Sequence, residues 1–465
     1  MPKAKQAEFQ VNYIWVALAV AIFGGFALAG HLCFVMGFDR PLGYGFASLI
    51  QIHGHLQLVG WAGLFIIGIS LYVIPRLSSV PISQPQWIQR LLWLIGIGLL
   101  LRFISHSVLP YLHSGFFFLL LSWVTAASGL LEWYGILIYF ALLVSPIFSI
   151  SKADRKPPLM AVRPYFGMMM MGFLLYATIH AVLLLQMAWQ GKVVVSQTWN
   201  EISIHVFIGL VLLPVAFAFS IRMLPLYLRL TAADWPVQRV AFIYLIGFLC
   251  QFSEILPIDF FSDIEGYISS VGRLVKAGAI FYVVWKLDVL TRRQELPIPR
   301  RDLQSSSDQQ PRRRTIRVYG EFGRFGWHIY AAYGWLVFGA LAEMFIGGFG
   351  IFRLPLAIST DVVRHIYLLG FITNLIMGMA VRMVPGFLKK RSVASTKLID
   401  GTLWLTNIAA LGRVAPLLLP LVLYDASETM DKIAQAMFGL SGILGLLATI
   451  CLAINLWRTV HHAPA

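Results

Sequence analysis

Three histidines of this chain each head a long apolar stretch: HLQLVGWAGLFIIGISLYVIP from His55, HVFIGLVLLPVAFAFSIRMLP from His205 and HIYLLGFITNLIMGMAVRMVP from His365. A proline follows twenty residues later in every case, at Pro75, Pro225 and Pro385. The second and third stretches also share Arg-Met-x-Pro (Arg222, Met223 and Arg382, Met383). A fourth histidine, His53, lies two residues before His55. Neutral imidazole is the commonest protein ligand to metals and an axial ligand to haem iron. A haem held between helices needs a histidine from each of two helices and small residues against the macrocycle. Gly60, Ala62, Gly63 and Gly68 offer these in the first stretch, and Gly370 and Gly378 in the third. The same residues also serve ordinary close packing of helices. Two positions apart, His53 and His55 face different sides of a helix. His55, which carries the repeat, is the expected ligand; His53 is a second ligand or an interfacial polar residue.

The elements that must position these groups are spanning helices. The 465 residues are 58% hydrophobic and 12% charged, with a mean hydropathy of +0.76, where a soluble protein would carry about 25% charged residues. Repeated apolar runs without period-2 alternation predict an all-α polytopic membrane protein, because only a helix or a closed barrel satisfies its own backbone in lipid. Twelve transmembrane helices are expected, roughly at 12–37, 48–75, 88–110, 117–145, 163–189, 200–228, 238–257, 267–289, 326–347, 361–388, 398–423 and 430–457. Lys3, Lys5 and the small-residue run at 27–29 resemble a signal peptide, but the apolar run is longer than a typical one, so the first helix is kept. The His-to-Pro stretches start 150 and 160 residues apart. That spacing predicts three pseudo-symmetric four-helix repeats: 1–150, 151–289 and 326–465, with a basic linker at 290–325. Chance matches of apolar text do not reproduce His and Pro together at one spacing.

Lys and Arg concentrate in alternate loops, including Arg76, Arg90, Arg163, Arg229, Arg239 and the run Lys389–Arg391. This bias predicts a multi-pass protein of the bacterial inner (plasma) membrane with both termini cytoplasmic. The net charge of +15 is mostly that topology signal and does not argue for nucleic acid. Cys33, Cys250 and Cys451 are isolated and no C-x-x-C-H occurs, so covalent haem attachment and cysteine-ligated iron–sulfur clusters are excluded. A haem here would be non-covalent, of b type.

Twenty helical residues rise about 30 Å, the thickness of the hydrocarbon core. His55, His205 and His365 therefore sit near the boundary opposite the basic loops. His31, His180 and Glu343 fall at the same depth in spans 1, 5 and 9, as do His106, Glu254 and Arg413 in spans 3, 7 and 11, shortly before Pro110, Pro257 and Pro416. Each ionisable group inside a membrane costs about 2.5–3.5 kcal/mol on insertion scales, so such a layer predicts a shared site in the outer third. Interfacial placement is the competing reading. The candidate metal set is His53, His55, His205, His365, His106, His180 and Glu254, with Arg413 and Arg102 as partners for haem propionates. Arg222 and Arg382, at the other end, read as snorkelling anchors, and Met168–Met171 as packing.

These stretches resemble the NnrS family. His53-Gly54-His55-Leu56-Gln57 running to Val73-Ile74-Pro75 is similar to its H-x-H-E-M…A-V-P signature, and Arg222-Met223-Leu224-Pro225 to its G-R-M-I-P. His365, Gly370, Gly378, Met379 and Arg382 match its span-10 motif, and Arg163-Pro164-Tyr165-Phe166 resembles the R-P-F-F that opens its members. The chain departs from the family at Leu56-Gln57, in place of Glu-Met, and at Gly386-Phe387-Leu388-Lys389-Lys390, in place of G-H-T-G-R. The resemblance implies a twelve-span bacterial protein with haem and copper, linked to nitric oxide handling and denitrification. Three arcs of four helices with histidines on spans 2, 6 and 10 also look like subunit I of haem–copper oxidases and nitric oxide reductases. That family uses two histidines on span 10 and further copper ligands after span 6. Here span 10 has only His365, and span 7 has Glu254 but no histidine pair, so a single haem or a reduced site is expected. The implied partners are the lipid bilayer, nitric oxide, a quinol or other subunits of a respiratory complex. A transporter without haem is the alternative, but it predicts two six-helix halves rather than a four-helix period.

Overall fold

The computed structural model describes residues 6–112, 114–149, 158–255, 264–293, 321–354, 356, 358–422 and 428–462. Most of the basic linker (294–320) and Pro257 lie outside these residues. Twelve long helices form the chain: α1 (Asn12–Gly37), α2 (Phe46–Ser78), α3 (Trp87–Tyr111), α4 (Phe116–Phe148), α5 (Arg163–Trp189), α6 (Gln197–Leu228), α7 (Val237–Phe252), α8 (Glu265–Leu287), α9 (Phe325–Ile351), α10 (Thr360–Phe387), α11 (Thr396–Val422) and α12 (Glu428–His462). Ten of them are long and apolar enough to cross a membrane; α7 and α11 are the other two. No strand occurs among the described residues.

Burial divides the helices into two sets. In α2, α6 and α10 the most apolar stretch is 94%, 78% and 83% buried, against 33–61% in the other seven membrane-length helices. Outer helices pack in sequence, α3 on α4 on α5, α7 on α8 on α9, and α11 on α12 on α1. The three inner helices meet around an apolar cavity of about 60 Å³ lined by Phe65 and Ile69, Leu212 and Phe219, and Ile372 and Met379.

The inner helices share local irregularities. Each widens into a π-helical segment just after its repeated histidine: Leu56–Gly63 after His55, Phe207–Leu212 after His205 and Ile366–Thr373 after His365. Such a turn inserts one residue into the helix and swings the following side chains to a new azimuth. Each helix also carries its proline in the last turns, and the residue four beyond is left-handed: Ser79 at φ 59°, Arg229 at φ 56° and Lys389 at φ 60°. The second and third ends are closed by Leu230 N–H donating to the Pro225 carbonyl (3.1 Å) and Lys390 N–H to that of Pro385 (2.8 Å). Glycine is the usual residue at such a cap, and none of the three positions has one.

A left-handed L-residue costs about 1–2 kcal/mol, less the extra entropy glycine would lose on folding. Ser79→Gly is therefore expected to stabilise the protein by about 0.5–1 kcal/mol and Ser79→Val to destabilise it. Thermal melts of the full chain in detergent check both.

Candidate functional site

The membrane-depth polar side chains gather in three nests, and the repeated histidines fall one in each. The first joins α2, α10 and α11. His53 Nδ1 donates to the Gly25 carbonyl of α1 (2.9 Å). His365 Nδ1 donates to the Asp361 carbonyl (2.8 Å) and lies 3.2 Å from its carboxylate. Arg413 Nη2 clamps the same carboxylate at 2.6 Å and lies over Phe438. A carbonyl oxygen only accepts, so both imidazoles carry their proton on Nδ1 and present an Nε2 lone pair. Neither Nε2 has a hydrogen-bond partner among the described residues.

The second nest is enclosed by α2 to α6. His55 Nε2 lies 2.7 Å from Glu132 Oε2 and its Nδ1 lies 3.0 Å from the Tyr176 hydroxyl. Its ring packs 5.1 Å from that of His180. His180 Nδ1 accepts from Arg102 Nη1 (3.3 Å), and its Nε2 donates to Ser203 Oγ (3.1 Å), whose own proton goes to the Asn200 carbonyl. His106 Nε2 donates to the Val193 carbonyl (2.9 Å) in the α5–α6 connection. Arg102 is fully buried. The third nest centres on Lys276 of α8, whose Nζ meets Glu343 Oε1 of α9 at 2.7 Å, both side chains almost wholly buried. The Tyr367 ring lies 5.9 Å from the same ammonium. Half-buried His205 feels the charges of Arg364, Lys276 and Arg273.

The expected site residues have different surroundings: His55 meets Glu132 and Tyr176, whereas His365 meets Asp361. Both ring nitrogens of His55 are committed, as are those of His180, so neither offers a lone pair to a metal. His53, the secondary candidate, is instead the imidazole with a free Nε2 near His365. Glu254 sits half-exposed beside Arg273 (3.3 Å) and Ser269, a surface pair. Arg102 serves His180, not the first nest, and His31 is exposed. Among the described residues no three His, Cys, Asp or Glu side chains of the candidate set His53, His55, His205, His365, His106, His180 and Glu254 gather as a metal-holding group. The glycines serve packing: a Cβ would strike Val20 at Gly60 (2.3 Å), Tyr13 at Gly68 (2.6 Å), Trp335 at Gly370 (2.7 Å) and His328 at Gly378 (2.6 Å). At Gly54, beside His53, an added Cβ would meet nothing within 4 Å.

The sequence reading missed Glu132, Tyr176 and Lys276. A lone acid in the apolar run SGLLEWYG, and a lone lysine in the apolar stretch of α8, were the available signals.

No known family model matches the chain, and no curated protein matches it either. Among solved structures the fold is similar to a haem–copper terminal oxidase determined as a dimer by cryo-EM, with a TM-score of 0.65 and 11% identity, covering 98% of this chain and 85% of that one. At that identity the likeness is one of fold: a polytopic helical bundle of haem–copper oxidase type.

Removing one member of a buried charged pair leaves the other uncompensated, at about 3–5 kcal/mol. Glu343→Leu should therefore destabilise the protein by that amount, and Lys276→Leu combined with Glu343→Leu by much less. Detergent unfolding of the single and double variants reads the difference.

Proposed function

We propose that this chain is a haem-binding redox protein of the membrane, with His53 and His365 as the axial ligands of a non-covalent b-type haem between α2 and α10. One observation carries the reading. Two imidazoles on two inner helices each spend Nδ1 on a backbone carbonyl, and neither Nε2 has a hydrogen-bond partner among the described residues. That is the arrangement in which an outer hydrogen bond fixes the tautomer and orients the ligating nitrogen. The open space at Gly54 supports the fit. Arg364, whose Nε has no hydrogen-bond partner among the described residues and whose Nη2 lies 3.9 Å from Glu201 Oε2, is the residue we assign to a propionate; Arg413 acts through Asp361. A bound haem would supply one-electron transfer. The polypeptide holds the two ligands, excludes water with the packing of α1, α11 and α12, and compensates charge through Asp361 and Arg413.

Within this reading the chain passes electrons to or from a quinol or another subunit of a respiratory complex. NnrS-type handling of nitric oxide is the finer reading; the motif around His53 and His365 supports it. Copper has no gathered donor set to support it. The three-inner, nine-outer arrangement disfavours a transporter of two six-helix halves. The basic loops at one end support an inner-membrane protein with cytoplasmic termini, and the recurring π segments and proline caps support four-helix repeats at 1–150, 151–289 and 326–465 around the 290–325 linker.

The optical spectrum of the purified full chain tests the proposal. The Soret and α bands of a six-coordinate low-spin haem are expected, lost in His53→Ala and in His365→Ala and kept in His55→Ala. Retention of the wild-type spectrum by either of the first two variants overturns the ligand assignment, and a wild type without haem bands overturns the function. Asp361→Asn keeps the backbone carbonyl that holds His365 Nδ1 and loses only the carboxylate 3.2 Å away, so it is expected to weaken haem retention by no more than about tenfold while leaving the band positions unchanged; haem titration of the stripped protein measures it.

A further inference from the structure

One feature of the bundle surface belongs to none of the three nests. Helices α1 and α12 touch backbone to backbone in the half away from the basic loops, where a Cβ on Gly37 would lie 2.5 Å from Gly439 and one on Gly442 2.4 Å from Ala29. Toward the end carrying the basic loops these glycines stop, and a groove of about 410 Å³ opens between the two helices. That volume falls in the range of about 300–1,000 Å³ of small-molecule sites. Facing alanines, Ala19 and Ala453, form part of its wall. Trp15 and Trp457 stand at one end, rings 5.5 Å apart and edge to face, with His461 stacked at 4.0 Å on Trp457. Arg458, one residue on, lines the same groove, is exposed, and makes no hydrogen bond or ion pair among the described residues.

We propose that this groove binds an anionic phospholipid, one acyl chain lying over Ala19 and Ala453 and the phosphate on Arg458. Apolar walls open to the bilayer select a hydrocarbon chain. The paired tryptophans mark the level of the headgroups, where amphipathic rings settle. A lone guanidinium at that level matches phosphate by charge and by its donor fork. The basic loops at this end attract anionic lipid generally; Arg458 is distinguished from them by the groove beside it. The proposal is independent of the haem reading, since none of the residues lining the groove is a proposed haem ligand or propionate partner.

The test uses the full chain in nanodiscs of mixed phosphatidylglycerol and phosphatidylcholine, with retained lipids counted by native mass spectrometry. One basic contact near a membrane surface corresponds to about a fivefold preference. A retained phosphatidylglycerol with roughly that preference is expected, falling to parity in Arg458→Gln. Ala453→Phe, which fills the groove and leaves the arginine, should lower retention of both lipids. Monodisperse elution and unchanged helicity confirm that each variant is folded, and Arg458→Lys should keep part of the preference in a fold no one would doubt. Equal retention of the two lipids by the wild type, or an unchanged preference in Arg458→Gln, overturns the proposal. So does displacement of the lipid by a quinone, which would assign the groove to a different occupant.

Discussion

An imidazole inside the bundle has two nitrogens to satisfy, and the partner taken by the first decides what the second can do. His53 and His365 give Nδ1–H to carbonyls of Gly25 and Asp361, so Nε2 is left as a lone pair. His55 and His180 lie among carboxylate, hydroxyl and guanidinium groups that take both nitrogens. The same residue type at the same depth thus becomes a potential iron ligand in one arc and a structural crosslink in another. In a medium without water these assignments are strongly held, because an unpaired polar group there costs several kcal/mol.

The arrangement of partners also explains why charges survive in the membrane. Glu132 meets His55 with Arg102 nearby, Glu343 meets Lys276, and Asp361 meets both Arg413 and His365. Each nest brings opposite charges or hydrogen-bond complements from at least two helices, so the cost of taking a charge out of water is partly returned by a short contact. These contacts cross from one helix to another. They tie α2 to α4 and α5, α8 to α9, and α10 to α11, and they fix the rotation of helices whose apolar surfaces would otherwise slide.

Close packing has a separate source. Where helices approach most tightly, glycine removes the Cβ: Gly60 against Val20, Gly68 against Tyr13, Gly370 against Trp335, Gly442 against Ala29. Without a hydrophobic drive between helices in lipid, small residues of this kind supply the van der Waals contact that holds them. The glycines that the sequence offered as a cradle for a macrocycle are therefore points of close packing.

The sequence by itself determined the class of fold. Length of apolar run and the His-to-Pro spacing are local quantities set by the 1.5 Å rise of a helix and the thickness of the bilayer. They foretold the α2, α6 and α10 stretches that turned out to be the inner helices. What they could not show is which helices are inner, since the outside of a membrane bundle is as apolar as its inside and hydropathy no longer marks the core. Nor could they pair His55 with Glu132 and Tyr176, 77 and 121 residues away. Those partnerships depend on the rotation of each helix about its axis. That rotation is set by π segments, glycine contacts and interhelical ion pairs, all of which exist only once the bundle has assembled.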